Sequence, residues 1–255
     1  MQRLFYQITG SGRPLLIVHG LFGSSDNWRA VTKALSDKRQ IIAVDLRNHG
    51  RSFHHQDQHY PQMAEDIERV VDELGIEEID LLGHSIGGKV AMQFARQHAH
   101  RVRQMVVVDI APRQYPDKHS WIFKSLLSLN LDQYQQRSQL DAALASDIKD
   151  AAVRQFLLMN VEKNDEGSLR WRINLQALFC NYAALLGSVE PEQALDVKSC
   201  FIAGGRSDYI SEADKQLIRQ CFPDSEFTVI DEAGHWVHAE AHKAFCQVVE
   251  QFLDD

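Results

Sequence analysis

One short turn, Gly83-His-Ser-Ile-Gly87-Gly88, limits the folds open to this chain more than any other stretch. The apolar run from Ile79 to Leu82 ends at the first of these glycines, and a segment with helical spacing begins near Val90. The pattern predicts a buried strand, a sharp turn and a helix, with Ser85 on the turn. Such a turn lifts a serine hydroxyl above a sheet, where a base and a substrate both reach it. Ser85 is therefore a candidate nucleophile.

The neighbours of Ser85 suit that role. Gly83 and Gly87 stand where a side chain would meet the adjoining strand or helix. The amide of Ile86, at the mouth of the predicted helix, has no acceptor within the helix and points at any anion beside Ser85. A Gly-x-Ser-x-Gly pattern also occurs in ordinary turns, so the assignment depends on the other loops.

Composition restricts the class of protein. The chain has 255 residues, 44% hydrophobic and 24% charged, which is typical of one globular domain, with or without an insertion. A net charge of -8, without a cluster of Lys and Arg, argues against nucleic acid as a partner. Met1 to Gly12 lack the pattern of a signal peptide, and no apolar run approaches the roughly 20 residues of a membrane helix. We expect a cytoplasmic protein without a membrane span, whose oligomeric state the sequence leaves open.

The cysteines and histidines indicate neither disulfides nor a metal site. The four cysteines are scattered without a Cys-x-x-Cys pair, which is typical of reduced, buried thiols: Cys180, Cys200, Cys221 and Cys246. None of the 12 histidines lies in a His-Glu-x-x-His motif. The nearest groupings are His54, His55 and His59 in one polar loop, and His235 with His238. We expect no metal and no organic cofactor.

Buried strands alternate with helices over most of the chain. After a weak edge strand at residues 3–8, apolar runs predict strands that end at Val18, Val44, Leu82, Val108, Ala203 and Ile230. Helical spacing lies between them and after the last one, near residues 28–35, 63–74, 90 onward, 212–221 and up to about 253. This alternation predicts an α/β fold, with a mostly parallel sheet flanked by helices.

The alternation breaks between residues 115 and 195. This part has helical patterns near residues 121–129, 153–161 and 175–186, and no strand run like the earlier ones. We interpret it as an inserted helical cap, so that residues 1–114 and 196–255 form the core. Seven apolar cap side chains are candidates to wall an acyl pocket: Trp121, Phe123, Phe156, Leu157, Met159, Trp171 and Phe179.

Loops that follow the strands carry further candidate site residues. The amide of Leu21, in His19-Gly-Leu-Phe-Gly23, is a candidate second donor to an oxyanion. Asp109 comes directly after a strand, where a carboxylate needs a partner or forms an Asx turn. His235 lies in a glycine-containing loop after the last strand. Because ligands bind outside the carboxyl ends of parallel strands, these loops are expected to converge.

Serine, carboxylate and histidine occur in the chain order of the α/β hydrolases. The sequence resembles small bacterial α/β-hydrolase esterases with His-Gly-Leu-Phe-Gly, Asp-x-Arg-Asn-His-Gly and Gly-His-Trp-x-His-Ala-Glu motifs, all present here. The resemblance extends over nearly the whole chain outside the cap. Members act on carboxylic esters and some on acyl thioesters. The resemblance implies Ser85 as nucleophile, His235 as general base and then acid, and the amides of Leu21 and Ile86 as the oxyanion hole.

The acid partner of His235 has two candidates. In most of the family it follows the strand that here ends at Ala203, and Asp208 fits that place, although a shifted register gives the place to Ser207. Some members use the aspartate after the preceding strand, here Asp109. We favour Asp109, with Ser207 as an additional hydrogen-bond partner of His235, and keep Asp208 as the alternative.

Hydrolysis of carboxylic esters or acyl-CoA thioesters, through an acyl-enzyme on Ser85, is the leading hypothesis. A C–C bond hydrolase or a ring-carboxylate synthase on the same fold is the alternative. Such sites need arginines in the cap to hold acid groups, and Arg154, Arg170 and Arg172 keep this alternative open. A non-catalytic binding protein that kept the fold is a more remote one.

Overall fold

The structure is a computed structural model that describes residues 2–254, so Met1 and Asp255, the ends of the predicted core, lie outside the described residues. The described chain contains these strands: β1 (Tyr6–Thr9), β2 (Arg13–Val18), β3 (Arg39–Val44), β4 (Ile79–His84), β5 (Val102–Val108), β6 (Val161–Lys163), β7 (Leu169–Trp171), β8 (Lys198–Gly204) and β9 (Ser225–Ile230). Seven of them form one sheet in the order β1-β3-β2-β4-β5-β8-β9. Only the pairing of β1 with β3 is antiparallel in this sheet. The predicted mostly parallel sheet is confirmed.

Helices cover the sheet and connect its strands. They are α1 (Arg29–Leu35), α2 (Tyr60–Glu73), α3 (Ile86–His98), α4 (Ser120–Leu127), α5 (Arg137–Leu144), α6 (Ala151–Leu158), α7 (Leu175–Cys180), α8 (Tyr182–Leu186), α9 (Glu212–Cys221), α10 (Val237–Glu240) and α11 (His242–Asp254). Single turns of 3-10 helix occur at Ser25–Trp28, Ala99–Arg101 and Leu131–Gln133. Between residues 2 and 254, no helix has the length and apolar character needed to cross a membrane.

Apolar side chains of the central strands serve both faces of the sheet. Leu15 and Ile17 of β2 belong to one apolar cluster, which lies beneath α1 and α11. Leu16 and Val18 belong to a second apolar cluster, which lies beneath α2 and α3. Successive side chains of a strand point to opposite faces, so a continuous apolar run is the pattern of a strand buried on both sides. The cluster beneath α2 and α3 also contains apolar side chains of α4 to α8, so residues 115–195 pack against the sheet and its helices.

Residues 115–195 contain α4 to α8 and also a short hairpin of β6 and β7, which pair antiparallel. The sequence predicts a helix over residues 153–161, and this prediction is wrong at its end: α6 stops at Leu158, and β6 begins at Val161. Strands of three residues are too short to show an alternating pattern, so hydrophobic spacing cannot reveal them. The division into core and cap remains a prediction of the sequence.

Candidate active site

Ser85 is the single residue between the end of β4 and the start of α3. Its φ of 53° and ψ of -122° lie in a region that costs energy for any residue with a side chain. Two backbone hydrogen bonds hold the turn: the Ser85 amide donates to the carbonyl of Val108 at 3.0 Å, and the Ser85 carbonyl accepts from the amide of Gly88 at 2.9 Å. Strain of this kind persists only where the surroundings enforce it, which is common at functional sites.

The flanking glycines let the turn pack tightly. A Cβ on Gly83 would lie 2.2 Å from the carbonyl oxygen of Gly87, and a Cβ on Gly87 would lie 2.3 Å from the carbonyl oxygen of Val18. Both contacts involve backbone atoms that cannot move aside. The prediction that side chains at these two positions would clash with a neighbouring strand or helix is confirmed.

His235 and Asp109 are hydrogen-bonded to each other. The Nδ1 atom of His235 lies 2.8 Å from Oδ2 of Asp109, whose side chain is fully buried. The carboxylate also accepts from the amide of Gly204 at 3.1 Å and from the hydroxyl of Ser207. A buried carboxylate with three donors is well stabilised as an anion. The loops after β5, β8 and β9 thus meet around Asp109.

The structure separates the two candidate acids. Asp208 extends into solvent, with 78% of its side chain exposed, and pairs with Nζ of Lys118 at 2.7 Å. The Lys118 ammonium lowers the pKa of Asp208. Ser207 contacts the acid instead of the imidazole: its hydroxyl donates to Asp109 Oδ2, where the sequence predicts a bond to His235.

Tyr209 and His84 position His235, and the sequence reasoning missed both. The Tyr209 ring stacks on the imidazole of His235, with centroids 4.0 Å apart and planes 18° apart. His84 Nε2 lies 2.8 Å from the carbonyl oxygen of His235. Burial lowers the pKa of His84 well below its usual value, and the neighbouring charges of His235 and His238 act in the same direction. His84 is therefore a neutral donor to that carbonyl.

The remaining residues of the Gly-His-Trp-x-His-Ala-Glu motif shape the loop that carries His235. The carboxylate of Glu240 accepts from the amides of Gly234 at 2.9 Å and Trp236 at 3.2 Å. His238 stacks on Trp28 with a centroid distance of 4.2 Å, and burial lowers the pKa of His238 to about 3. His238 is thus a neutral packing residue that joins this loop to the chain before α1.

The two candidate oxyanion donors border the same space as Ser85. Ile86 is the first residue of α3, so its amide has no acceptor within the helix. Leu21 follows Gly20, whose Cα lies so close to the site that a Cβ there would be 3.3 Å from Cβ of Ser85. His19 fixes this loop: its Nε2 accepts from the amide of Leu46 at 2.9 Å, and its Nδ1 lies 2.8 Å from the Gly20 carbonyl oxygen.

A cavity of about 600 Å³ opens above Ser85. Its lining combines Leu21, Ser85 and His235 with apolar side chains of α4 and α6, namely Trp121, Ile122, Val153, Phe156 and Leu157. Of the seven cap residues predicted to wall a pocket, Trp121, Phe156 and Leu157 line this cavity. The others lie elsewhere: Phe123, Phe179 and Trp171 pack with the core, and Met159 is 44% exposed. The size is typical of a cavity for a small organic ligand.

Comparison with known proteins identifies the family. The family model described as alpha/beta hydrolase fold matches residues 13–156. The chain belongs to the α/β-hydrolase family. The hydrolase is 35% identical over 243 residues to "Esterase YbfF" of Escherichia coli (strain K12). The aligned region covers 95% of this chain and 93% of that relative. It is 34% identical over 247 residues to the "sn-1-specific diacylglycerol lipase ABHD11" of Mus musculus, which covers 94% of this chain and 80% of the relative.

A solved structure agrees with this placement. The "Marine microorganism esterase" superposes on the hydrolase with a TM-score of 0.97 and 36% sequence identity, covering 99% of this chain and 100% of the other. The similarity therefore includes residues 115–195 as well as the sheet.

Lys89 of the hydrolase is a buried cation beside the site. It lies one turn after Ser85 on α3, is 1% exposed, and its Nζ donates to the carbonyls of Arg113 and Gly187 at 2.8 and 2.5 Å. A third bond reaches the carbonyl of Leu186 at 3.3 Å. Burial lowers the pKa of Lys89 to about 7, and the Arg113 guanidinium acts in the same direction. The three bonds join the two chain segments that leave and re-enter the core.

The polar loop after β3 supports the oxyanion loop. Asp45 accepts from the amides of Ser25 at 2.7 Å and Arg51 at 2.8 Å, and its carboxylate lies 3.6 Å from the Arg51 guanidinium. Arg47 instead pairs with Asp66 on α2 at 2.6 Å. The contacts of Asp45 with Ser25 and Arg51 thus brace this loop.

The histidines that invited a metal interpretation have separate partners. His54 Nε2 lies 3.2 Å from the carbonyl oxygen of Arg172, His55 lies 3.6 Å from Asp57, and His59 precedes α2. Within residues 2–254, no group of three or more His, Cys, Asp or Glu side chains is arranged to hold a metal ion. The absence of a metal stays a prediction. All four cysteines are free thiols, but Cys180 is exposed, so the prediction of four buried thiols is wrong there.

Proposed function

We propose that Ser85, His235 and Asp109 form a catalytic triad through which this hydrolase cleaves carboxylic esters. The protein is a carboxylic ester hydrolase, since relatives named as esterases and a lipase match it at 34% to 36% identity over more than nine-tenths of its length. The observation that carries the triad is the 2.8 Å contact between His235 and the fully buried carboxylate of Asp109.

The mechanism follows from where the protons lie. A carboxylate can only accept, so the Nδ1–H of His235 donates to Asp109 and Nε2 carries the free lone pair. Nε2 takes the proton of Ser85 as the hydroxyl oxygen attacks the ester carbonyl carbon. The resulting imidazolium is stabilised by the buried negative charge of Asp109.

The oxyanion of the tetrahedral intermediate lies between the amides of Leu21 and Ile86 in this proposal. Two fixed N–H donors stabilise charge that develops in the transition state, with a contribution of about 3 kcal/mol each. The intermediate then collapses: the bond to the alcohol oxygen breaks, and His235 gives its proton to that oxygen. Water, deprotonated by His235, attacks the acyl-enzyme by the same route, releases the carboxylic acid and restores Ser85.

The cap arginines do not favour the C–C hydrolase or synthase alternative. All three are held in ion pairs: Arg154 with Asp141 at 2.8 Å, Arg170 with Glu162 at 2.7 Å, and Arg172 with Asp26 at 3.4 Å. Guanidinium groups already matched by carboxylates are poor anchors for the acid groups of such substrates.

Two further predictions extend this proposal. The first is that the substrate is a small-molecule ester or acyl thioester, which the apolar lining of the cavity supports. Nucleic acid is not expected as a partner, because the net charge is -8. The cytoplasmic location is supported by four free thiols, since reduced cysteines are typical of a reducing compartment.

Replacement of Ser85 tests the function. We expect Ser85→Ala to lower kcat/KM for p-nitrophenyl acetate by about 10⁴-fold or more, because the nucleophile is lost. Ser128→Ala, at the exposed end of α4, is the matched control and should keep full activity. An acetyl-CoA assay in parallel measures thioester turnover. Undiminished hydrolysis by Ser85→Ala would refute the proposal.

A further inference from the structure

Two spaces of very different size meet at Ser85. The first is the cavity of about 600 Å³ described above. The second, which we call the narrow chamber, measures about 40 Å³ and is walled by Tyr60, Ile86, Lys89, Ile110, Tyr115 and Leu185. Five residues line both spaces: Leu21, Ser85, Lys118, His119 and Tyr209. When the carbonyl carbon of an ester lies at Ser85, its acyl chain and its alcohol part can therefore occupy two spaces of unequal size.

The position of His235 determines which space holds the alcohol part of the ester and which holds the acyl chain. His235 lines the large cavity, whereas Ile86 lines the narrow chamber. When the tetrahedral intermediate collapses, the alcohol oxygen must receive its proton from His235, so the alcohol has to lie on the histidine side of Ser85. The acyl chain, which takes no proton, is left with the narrow chamber, which His235 does not line.

We propose that the narrow chamber binds the acyl chain and the large cavity binds the alcohol, so that the substrates are short-chain acyl esters of bulky apolar alcohols. This inference rests on the proposed serine hydrolase function. The reaction is ordinary ester hydrolysis: the acyl–oxygen bond breaks, water supplies the hydroxyl of a short carboxylic acid, and the alcohol keeps its oxygen and gains a proton.

The size of the narrow chamber limits the acyl chain. A water-sized group needs roughly 10–15 Å³ of such space, so the chamber holds about three non-hydrogen atoms. The carbonyl carbon and oxygen lie outside it, at Ser85 and the oxyanion donors. The chamber therefore accepts acyl groups from acetyl to about butyryl.

The walls of the narrow chamber are fixed by buried hydrogen bonds. Lys89 ties the carbonyls of Arg113 and Gly187 together. The Tyr60 hydroxyl donates to the carbonyl of Leu185 at 2.6 Å, and the Tyr115 hydroxyl donates to the carbonyl of Tyr209 at 2.6 Å. Opening the chamber for a longer chain would break such bonds in a buried region, so the size limit is expected to be strict.

The large cavity suits an apolar alcohol. Its walls include the side chains of Trp121 and Phe156, and the Phe156 ring lies 5.6 Å from the ring of Trp236. Aromatic and aliphatic walls of this kind favour long or ring-containing alcohols by burying their apolar surface.

Two series of esters test the inference. In the first, p-nitrophenyl esters from acetate to octanoate vary the acyl chain with a constant leaving group. We expect kcat/KM for octanoate to be about 10⁴-fold below that for butyrate, since a closed pocket rejects each of the four additional methylenes by about tenfold. In the second, acetates of ethanol, butanol and octanol vary the alcohol, and kcat/KM should rise by about tenfold or more with its length.

Wall variants test the assignment of the chamber. Leu185→Ala enlarges the narrow chamber and should raise the octanoate-to-butyrate ratio of kcat/KM by about tenfold. Ile110→Val is a milder second variant with the same expected direction, for use if Leu185→Ala does not fold. Trp121→Ala alters only the large cavity, so it should leave that ratio unchanged and reduce the preference for octyl acetate.

The outcomes separate this inference from the proposed function. If wild type prefers octanoate over butyrate while Ser85→Ala is inactive on both, the acyl chain occupies the large cavity; the inference is then wrong and the serine hydrolase stands. A ratio that changes in Trp121→Ala and not in the chamber variants contradicts the assignment in the same way. If Ser85→Ala hydrolyses the esters as well as wild type does, both proposals fail.

Discussion

Replacing Asp109 by asparagine is the sharpest test of the proposed triad. The substitution keeps the shape of a fully buried side chain but puts an amide where Oδ2 accepts from His235. An NH₂ group in that place cannot accept, so His235 must turn to the tautomer with its proton on Nε2. That tautomer cannot take the proton of Ser85.

The expected loss is large and can be compared with a neighbouring aspartate. A triad acid of this kind contributes about 10⁴-fold in kcat, which is about 5.4 kcal/mol of transition-state stabilisation. Asp208 lies 78% exposed and pairs with Lys118, and exposed ion pairs contribute about 1 kcal/mol or less. Asp208→Asn should therefore change kcat by less than about fivefold.

The assay is the steady-state rate of p-nitrophenyl acetate hydrolysis by the two variants, with urea unfolding to show that both are folded. We expect Asp109→Asn to lose about 10⁴-fold in kcat while Asp208→Asn stays near wild type. Full activity in Asp109→Asn together with a loss of about 10³-fold or more in Asp208→Asn would refute the assignment of the acid.

Three further predictions concern stability. Lys89→Met removes the donor of three buried carbonyls and should lower the free energy of unfolding by about 2–4 kcal/mol, measured by urea unfolding against the exposed control Lys33→Met. The pKa of His238 is lowered to about 3 in the folded state, so between pH 6.5 and 3 the unfolded state binds a proton that the folded state does not. The free energy of unfolding therefore falls as the pH drops through this range. Between pH 7 and 5, this loss should be about 2 kcal/mol smaller in His238→Gln than in wild type. Gly87→Ala forces a Cβ to within 2.3 Å of the Val18 carbonyl oxygen and should cost about 3 kcal/mol or more in urea unfolding. Gly88→Ala should cost less, because its nearest contact is a methyl group of Ile110 at 2.6 Å and the nearest backbone atom lies 3.1 Å away; equal costs would contradict this packing argument.

Local patterns were sufficient to predict the sheet and the position of Ser85. The strands of the sheet centre are buried on both faces, so each appears as an unbroken apolar run bounded by glycine or a polar loop. Ser85 follows one of these runs directly, and the glycines around it have no alternative residue that fits. Those features depend on residues close together in the chain.

The acid and the supports of His235 depend on three-dimensional contacts that spacing does not reveal. Asp109 and Asp208 follow adjacent strands, β5 and β8, so the sequence places both at the same edge of the sheet. Asp109 has a φ of 50° and a buried carboxylate, whereas Asp208 extends outward to Lys118. The stacking of Tyr209 on His235 likewise joins loops after different strands. A tyrosine next to a candidate acid was the only signal in the sequence.

Ser85 is the proposed nucleophile, and covalent labelling by a fluorophosphonate tests this role most directly. Intact mass and peptide mapping should show one phosphonyl group per chain, attached to Ser85, and none in Ser85→Ala. Labelling should be slowed by about 10³-fold or more in His235→Ala, because the base that activates the hydroxyl is gone. Labelling of another residue at the wild-type rate in Ser85→Ala, or wild-type protein that hydrolyses esters without reacting at Ser85, would contradict the account.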